Sequence, residues 1–354
     1  MEKNNESSSS CPMGKTAQEK GFLHVPECYK VQPVDRLRFD SKIADIPTID
    51  LEGMCDNPTR RREVVEYIGN ACRNSGFFQV INHGISQSIL DGAISTATRF
   101  FDLPNAEKAK FMSNEVQKPV RYGTSIKDGL DKVQFWRVFL KQYANPLNDW
   151  IHLWPNNPSD YREKMGDYAV AVQKLAIEIM GTITESLGLG PTYLTTKLDD
   201  GMQVMVVNCY PKCPQAELAF GIPPHSDYSC ITILLQNSAD GLEICDLGDG
   251  SWKLIPVVHS SLQVNVGDYL EVLSNGRYKS VVHRVTLNSE KTRVSIASLH
   301  SLGMDVKMET PKELVDEGHP KGYKESSFND FLVFISKINL DEGKSFLSTL
   351  KIQK

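Results

Sequence analysis

His225 and Asp227 lie two apart, an imidazole and a carboxylate separated only by Ser226. On a β-strand residues at this spacing leave the same face, so an H-x-D would present both groups to one side. His283, in Val282-His283-Arg284, is a third candidate ligand. Two imidazoles and one carboxylate on one side of a metal leave its remaining positions open, the ligand set of non-haem Fe(II) oxygenases. Taken singly each signal is weak, because H-x-D recurs by chance and a lone strand histidine usually belongs to the core. The weight lies in the combination with Arg293 and Ser295, again two apart. A guanidinium fork beside a hydroxyl suits an organic carboxylate. Val294, Ile296 and Ala297 place that R-x-S on a buried strand, where an arginine needs an anionic partner.

These residues need strands to hold them. From Met202 onward short apolar runs alternate with turn residues: Met202–Tyr210, Cys230–Gln236, Leu242–Asp246, Leu262–Val266, Leu270–Leu273, Ser280–Leu287 and Arg293–Leu299. Asp240-Gly241, Asp249-Gly250, Gly267-Asp268 and Asn275-Gly276 read as turns, the last a hairpin that brings His283 back beside the sheet. Strands at this spacing predict a sandwich or barrel. Before them, Ile46–Leu51 reads as a strand, Phe77–Gly84 as an apolar strand ending in a turn, and Pro58–Asn74 as an amphipathic helix stopped by Gly76. A second helix runs from an N-cap at Ser86 to about Leu103. Met112–Lys132 reads as a loop, Gln134–Leu140 as a strand and Pro146–Pro158 as a loop. Ser159–Leu187 is the longest helical pattern, with Met165, Tyr168, Val172, Leu175, Ile179 and Ile183 on its apolar side. The tail turns helical again over Phe328–Ile335 and Lys344–Leu350.

Composition narrows the function class. With 40% apolar and 23% charged residues and a net charge of −5, the chain has ordinary globular usage and no basic stripe for nucleic acid. Residues 1–20 are polar and Ser-rich without a signal-peptide core, and no apolar run is long enough for a membrane span. A soluble, cytoplasmic protein acting on a small molecule is expected, with neither nucleic acid nor membrane as partner. Its oligomeric state is not legible. The eight cysteines are scattered, and Cys209-x3-Cys213 has no second pair at zinc-site spacing, so they read as structural or incidental thiols. Phe22, Leu23, Val25 and Tyr29 are apolar enough to dock the N-terminal arm on the body.

The chain resembles the plant 2-oxoglutarate- and Fe(II)-dependent dioxygenases, the soluble family that includes flavonol and anthocyanidin synthases. Phe77-Phe78-Gln79-Val80-Ile81-Asn82-His83-Gly84 matches the family's N-terminal signature. Asn208-Cys209-Tyr210-Pro211-Lys212-Cys213-Pro214 matches its N-Y-Y-P-x-C-P segment, with Cys209 in place of the first tyrosine. H-x-D, the distal histidine and R-x-S follow in the family's order. The resemblance implies an all-β core with flanking helices, a double-stranded β-helix or jelly roll with an N-terminal α/β region. It divides the chain into an arm (1–45), an N-terminal dioxygenase region (46–158), a supporting long helix (159–201), the jelly-roll core (202–302) and a helical tail (303–354).

The same resemblance implies that His225, Asp227 and His283 hold Fe(II). Arg293 and Ser295 would take the distal carboxylate of the cosubstrate 2-oxoglutarate, with Tyr210 adding its hydroxyl and Asn208 close by. O2 would be consumed, succinate and CO2 released, and ascorbate would stimulate turnover. His83 would be structural and His300 core. By alignment with the flavonoid enzymes, Phe139, Lys141, Val206, Leu299 and Ser301 face substrate, and Ile222 joins them in an apolar pocket for a flat molecule. Those enzymes carry a lysine and an acidic residue at the positions of Val206 and Ser301. The expected reaction is hydroxylation or O-demethylation of a plant aromatic specialised metabolite, flavonoid-type favoured. Alternatives are an oxygenase for a hormone (gibberellin, auxin or jasmonate), a 1-aminocyclopropane-1-carboxylate oxidase, and a binding protein that kept only the fold.

Overall fold

Buried polar residues at alternate positions of otherwise apolar strands dictate two sheets with a chemically loaded space between them. The computed structural model describes residues 21–32, 41–125, 134–237, 239–337 and 345–353. Its strands are β1 (Lys42–Ile43), β2 (Thr48–Asp50), β3 (Phe77–Ile81), β4 (Val120–Gly123), β5 (Val138–Asn145), β6 (Met202–Tyr210), β7 (Ile222–His225), β8 (Ile231–Gln236), β9 (Leu242–Cys245), β10 (Trp252–Leu254), β11 (Leu262–Val266), β12 (His283–Val285) and β13 (Arg293–Ser301). An eight-stranded sheet runs β2-β3-β11-β8-β13-β6-β5-β4, and a five-stranded sheet β1-β10-β9-β12-β7. Together they make the expected jelly roll, with helices outside.

The helices are α1 (Pro58–Asn74), α2 (Gln87–Asp102), α3 (Asn105–Ala109), α4 (Leu147–Trp150), α5 (Tyr161–Ser186), α6 (Thr195–Asp199), α7 (Asp268–Leu273), α8 (Phe328–Lys337) and α9 (Phe346–Leu350). α1 begins as its sequence demands: Asn57 accepts from the N–H of Thr59 and Arg60, and Pro58 takes the first position. Ser86 precedes α2 but caps nothing through its hydroxyl, which pairs with Ser88 instead. α1, α2 and α5 bury Val64, Ile68, Leu90, Phe100, Val172 and Ile179 in one apolar cluster with the eight-stranded sheet. α5 is the long support anticipated. Val25 and Tyr29 dock the arm, with Tyr29 edge-on to Trp136 at 5.2 Å, whereas Leu23 points to solvent at 82% exposure.

Several expectations are corrected. Leu270–Leu273 is not a strand but most of α7, because Gly267 and Asp268 open a helix where a turn was expected. Asn275-Gly276 is accordingly no hairpin: with φ of 54° and 75° the pair ends α7, and the Gly276 N–H caps the Glu271 carbonyl at 2.8 Å. The β5 strand starts at Val138 rather than Gln134 and continues to Asn145. β4 lies inside the segment read as a loop, and α4 inside Pro146–Pro158. None of the described cysteines forms a disulfide. The Ser-rich lead over residues 1–20 lies outside the described residues.

Gly267 has a steric reason. A Cβ there would stand 2.2 Å from the Ser229 carbonyl oxygen, so only glycine lets α7 start against the segment that follows Asp227. Gly267→Ala should therefore destabilise the protein by roughly 1–3 kcal/mol, the ordinary cost of overpacking. Urea unfolding measures it; an unchanged midpoint would refute the steric reading.

Candidate active site

The site is assembled from register. Antiparallel pairing of β12 with β7 puts His283 directly across from His225, their rings 4.2 Å apart. β7 ends at His225, so Asp227 is not on the same strand as expected; it stands in the bend beyond and turns back to the imidazoles. Its Oδ1 is 3.7 Å from Nε2 of each histidine. The potential ligand atoms of the three residues all lie within 4.8 Å of one another, and among the described residues this is the one such cluster of His, Cys, Asp and Glu.

The second contacts fix each donor. His225 Nδ1 lies 2.8 Å from the Pro223 carbonyl and His283 Nδ1 3.2 Å from that of Val281, so both Nδ1–H groups donate to backbone. That tautomer leaves each Nε2 lone pair for a metal. Asn265 Nδ2 donates to Asp227 Oδ2 at 2.9 Å, which leaves Oδ1 facing the histidines. Burial pushes the Asp227 carboxyl up, but the two imidazoles and the bonds from Thr232 and Asn265 outweigh it and hold the pKa below the ordinary value. Burial first, and His283 second, pull His225 down to about 4. An ionised carboxylate and neutral His225 are the forms a divalent cation requires.

The facing wall is the inner side of β6 and β13. Arg293 pairs across the strands with Tyr210, and Ser295 with Asn208. Period two turns all four side chains to one side. Arg293 is 2% exposed, yet no described carboxylate is within ion-pair distance of it. Its Nη2 donates to Gln236, its Nη1 reaches Ser295 Oγ at 3.5 Å, and its buried Nε has no partner. The guanidinium stands 5.2 Å from the Tyr210 ring centre. Burial lowers its pKa, but arginine remains charged. A buried cation with an orphaned donor fits an anionic ligand such as the distal carboxylate of 2-oxoglutarate. The three-donor cluster opposite fits Fe(II).

Between the walls is a cavity of about 190 Å³. Val206, Ile222 and Leu299 line it as expected, together with Phe77, Leu234, Leu242, Val285 and Ala297. The other three expected pocket residues are placed differently. Phe139 and Lys141 sit on the pocket side of β5, opposite Asn208 and Val206, but outside the cavity lining. Phe139 packs under the Arg121 and Arg137 guanidinium groups, and Lys141 Nζ turns to the Val116 carbonyl at 2.6 Å. Ser301 is buried near the far end of β13, away from the cavity. His300 is core, bonded through Nδ1 to Gln173 at 2.7 Å. His83 lies in a separate surface cleft, bonded to the Ser260 carbonyl.

Reading by residue missed Arg137, Thr232 and Asn265, all in the lining. Arg137 donates to Asn208 Oδ1 at 3.0 Å and acts electrostatically on His225. Asn265 carried a usable signal, a buried amide at an alternate position of an apolar strand. Arg137 carried a weaker one, lying two before Phe139 in the run read as a strand, although β5 itself begins one residue later.

Two domain-family models match the chain: the 2OG-Fe(II) oxygenase superfamily over residues 201–301, and the N-terminal region of the non-haem dioxygenases in morphine synthesis over residues 46–157. The chain belongs to the 2OG-Fe(II) oxygenase superfamily. It is an Fe(II)- and 2-oxoglutarate-dependent dioxygenase. It is 47% identical to flavanone 3-dioxygenase 3 of Oryza sativa subsp. japonica over 87% of this chain and 93% of that protein. Identity to the protein Downy Mildew Resistance 6 of Arabidopsis thaliana is 37% over 91% and 95% of the two chains. The crystal structure of JOX2 with 2OG, Fe and JA superposes with a TM-score of 0.79 at 32% identity, covering 89% of this chain and 90% of that one. No described helix is long and apolar enough to cross a membrane.

The buried histidines set an acid limit on the metal-free protein. His225 ionises near 4 and His300 near 3 when folded, against about 6.5 in an unfolded chain. The unfolded state therefore takes up protons first as pH falls below about 6.5, and stability is lost down to the folded values. The urea midpoint of metal-free protein should drop between pH 7 and pH 5, and drop less in His225→Asn. Equal drops would remove His225 from the account.

Proposed function

We propose that His225, Asp227 and His283 hold the iron, and that Arg293 and Ser295, with Tyr210 and Asn208, hold 2-oxoglutarate. The observation that carries this reading is the facing of a three-donor cluster by a buried arginine with no carboxylate at ion-pair distance among the described residues. Iron and 2-oxoglutarate together supply an O2-dependent oxidation of substrate, releasing succinate and CO2. Everything else falls to the chain's own residues. The Pro223 and Val281 carbonyls orient the imidazoles, and Asn265 orients Asp227. The Arg293 fork would hold and orient one end of the cosubstrate. Leu234, Leu242, Val285 and Leu299 keep water from the reacting centre.

The substrate reading is hydroxylation or O-demethylation of an aromatic plant metabolite, flavonoid-type favoured, in the cytoplasm. Apolar Val206, Ile222 and Leu299 in the lining, and the relative named flavanone 3-dioxygenase 3, support it. A second reading is an acid-bearing hormone. Arg137 in the cavity wall favours it, as does the similarity to the JOX2 structure in complex with 2OG, Fe and JA. Nothing comparable singles out the 1-aminocyclopropane-1-carboxylate oxidase alternative, and dependence of turnover on 2-oxoglutarate would separate it.

Three outcomes are expected. Asp227→Ala and His283→Ala should each abolish stoichiometric iron binding, read by metal analysis; retained iron would overturn the ligand assignment. Arg293→Lys, which loses the fork, should raise KM for 2-oxoglutarate roughly 10- to 100-fold, as expected for about 1.5–3 kcal/mol of charged hydrogen bonding. An unchanged KM would move the cosubstrate site elsewhere. Finally, purified protein with Fe(II) and 2-oxoglutarate should release succinate faster with neutral flavonoids such as flavanones, with products changed by one oxygen or one methylene. Stimulation only by aromatic or alicyclic acids, lost in Arg137→Ala, would support the second reading. No stimulation by either panel sinks both.

A further inference from the structure

Helix α7 carries two buried carboxylates outside the ligand cluster, Asp268 and Glu271. Asp268 stands where the ligand-bearing segments converge. Its N–H donates to the Asp227 carbonyl at 2.8 Å, and its Oδ2 accepts from Ser226 Oγ at 3.2 Å. Ser226 is the residue between His225 and Asp227. The hydroxyl of Ser280, on the segment leading into His283, acts on the same carboxylate. Yet Asp268 Oδ1 and Ser280 Oγ are both buried without a closed hydrogen bond. Leaving such atoms unmet costs about 1–3 kcal/mol each, so a donor and an acceptor left open side by side call for closure. Glu271 anchors the second segment, accepting from the Ser280 N–H at 2.7 Å and from the Tyr323 hydroxyl at 2.7 Å. No cation lies within ion-pair distance of Asp268 among the described residues, and the charged groups that act on it, Glu271 and Asp227, are both acidic, so the two serine hydroxyls are the donors that face its carboxylate.

We propose that Asp268 is a positioning residue of the metal site: its carboxylate clamps the Ser226 and Ser280 hydroxyls together and so fixes the H-x-D bend against the His283 segment. This rests on His225, Asp227 and His283 being the iron ligands. Asp268 itself touches neither metal nor substrate. Its effect passes through the two serines to the mutual placement of three donors that come from separate pieces of chain. Outer contacts of this kind typically govern metal affinity by 10- to 100-fold.

Full-length protein freed of metal by chelation is titrated with Mn(II), a redox-stable probe of the site, and free Mn(II) is followed by its magnetic resonance signal. Asp268→Ala should weaken Mn(II) binding about 10- to 100-fold, while the melting temperature of the metal-free protein shows that it is folded. The double variant Ser226→Ala/Ser280→Ala should lose a comparable factor, and adding Asp268→Ala to it should cost nothing more. Asp268→Asn, which keeps one acceptor oxygen, should fall between. If Asp268→Ala does not fold, the serine double variant carries the test alone. Wild-type affinity in the double variant, or losses that multiply independently, would overturn the clamp. A wild-type chain that takes up neither Mn(II) nor Fe(II) would instead overturn the ligand assignment beneath it.

Discussion

The pairing of β12 with β7 is the constraint on which the rest of the site depends. It sets His283 opposite His225 and brings the two imidazoles together. β12 is only three residues long, so little of that placement comes from its own ladder. It is flanked by β9 on its other edge, where His283 pairs with Ile244 and Arg284 with Glu243. The Arg284–Glu243 bond is buried, and the Arg284 guanidinium lies 4.1 Å from the Trp252 ring centre. A short strand is thus held by an ion pair whose two members point away from the metal side. A one-residue slip would exchange His283 with Arg284 at the site and bury the wrong cation there.

The two walls divide the chemistry. The five-stranded sheet and the bend after it bring the donors for a cation. The eight-stranded sheet brings the donors for an anion. Each set would be costly to bury by itself: Asp227 without a cation, and Arg293 without a carboxylate. The metal-free fold already compensates in part, with Asn265 and Thr232 on the acid and Gln236 on the base. That compensation is neutral in charge, so it stabilises the ionised side chains without satisfying them. The site is built for occupants that do so.

How much of this was legible in the sequence follows from period and separation. Met202–Tyr210 and Leu262–Val266 were readable to the residue because each is a short apolar run bounded by turn residues. R-x-S declared its shared face by its spacing, whereas Asn208 and Tyr210 came only from the family resemblance. The H-x-D did not, because Pro223 and Pro224 let the strand run only to His225 and the carboxylate reaches the site from a bend. α7 was misread because Leu270-Glu271-Val272-Leu273 is too short for its periodicity to separate helix from strand. Only tertiary contact decides it: Gly267 against Ser229, and Asp268 bonded to Asp227 and Ser226. Arg137 was passed over because what holds it at the cavity is Asn208 on β6, distant in sequence, and not its own neighbours.

On the proposed reading, substrate choice would follow from where charge stands on the eight-stranded sheet. The flavonoid synthases that this chain resembles carry a lysine where it has Val206. Here the residue paired with Val206 across the strands is Lys141. Its ammonium nevertheless does not replace the missing one, since it bonds to the Val116 carbonyl and lies 4.8 Å from the Tyr143 ring centre. Burial and the nearby Arg121 also pull its pKa down to about 7, which weakens it further as an anchor for an anion. The wall at Val206 is therefore apolar in effect. Arg137, just before β5 and bonded to Asn208, is the lining cation that lies outside the proposed cosubstrate donors. Moving the charge from the position of Val206 to Arg137 brings it nearer the proposed cosubstrate side, so a substrate gripped there would lie with its polar end inward and its apolar body along Val206, Ala297 and Leu299.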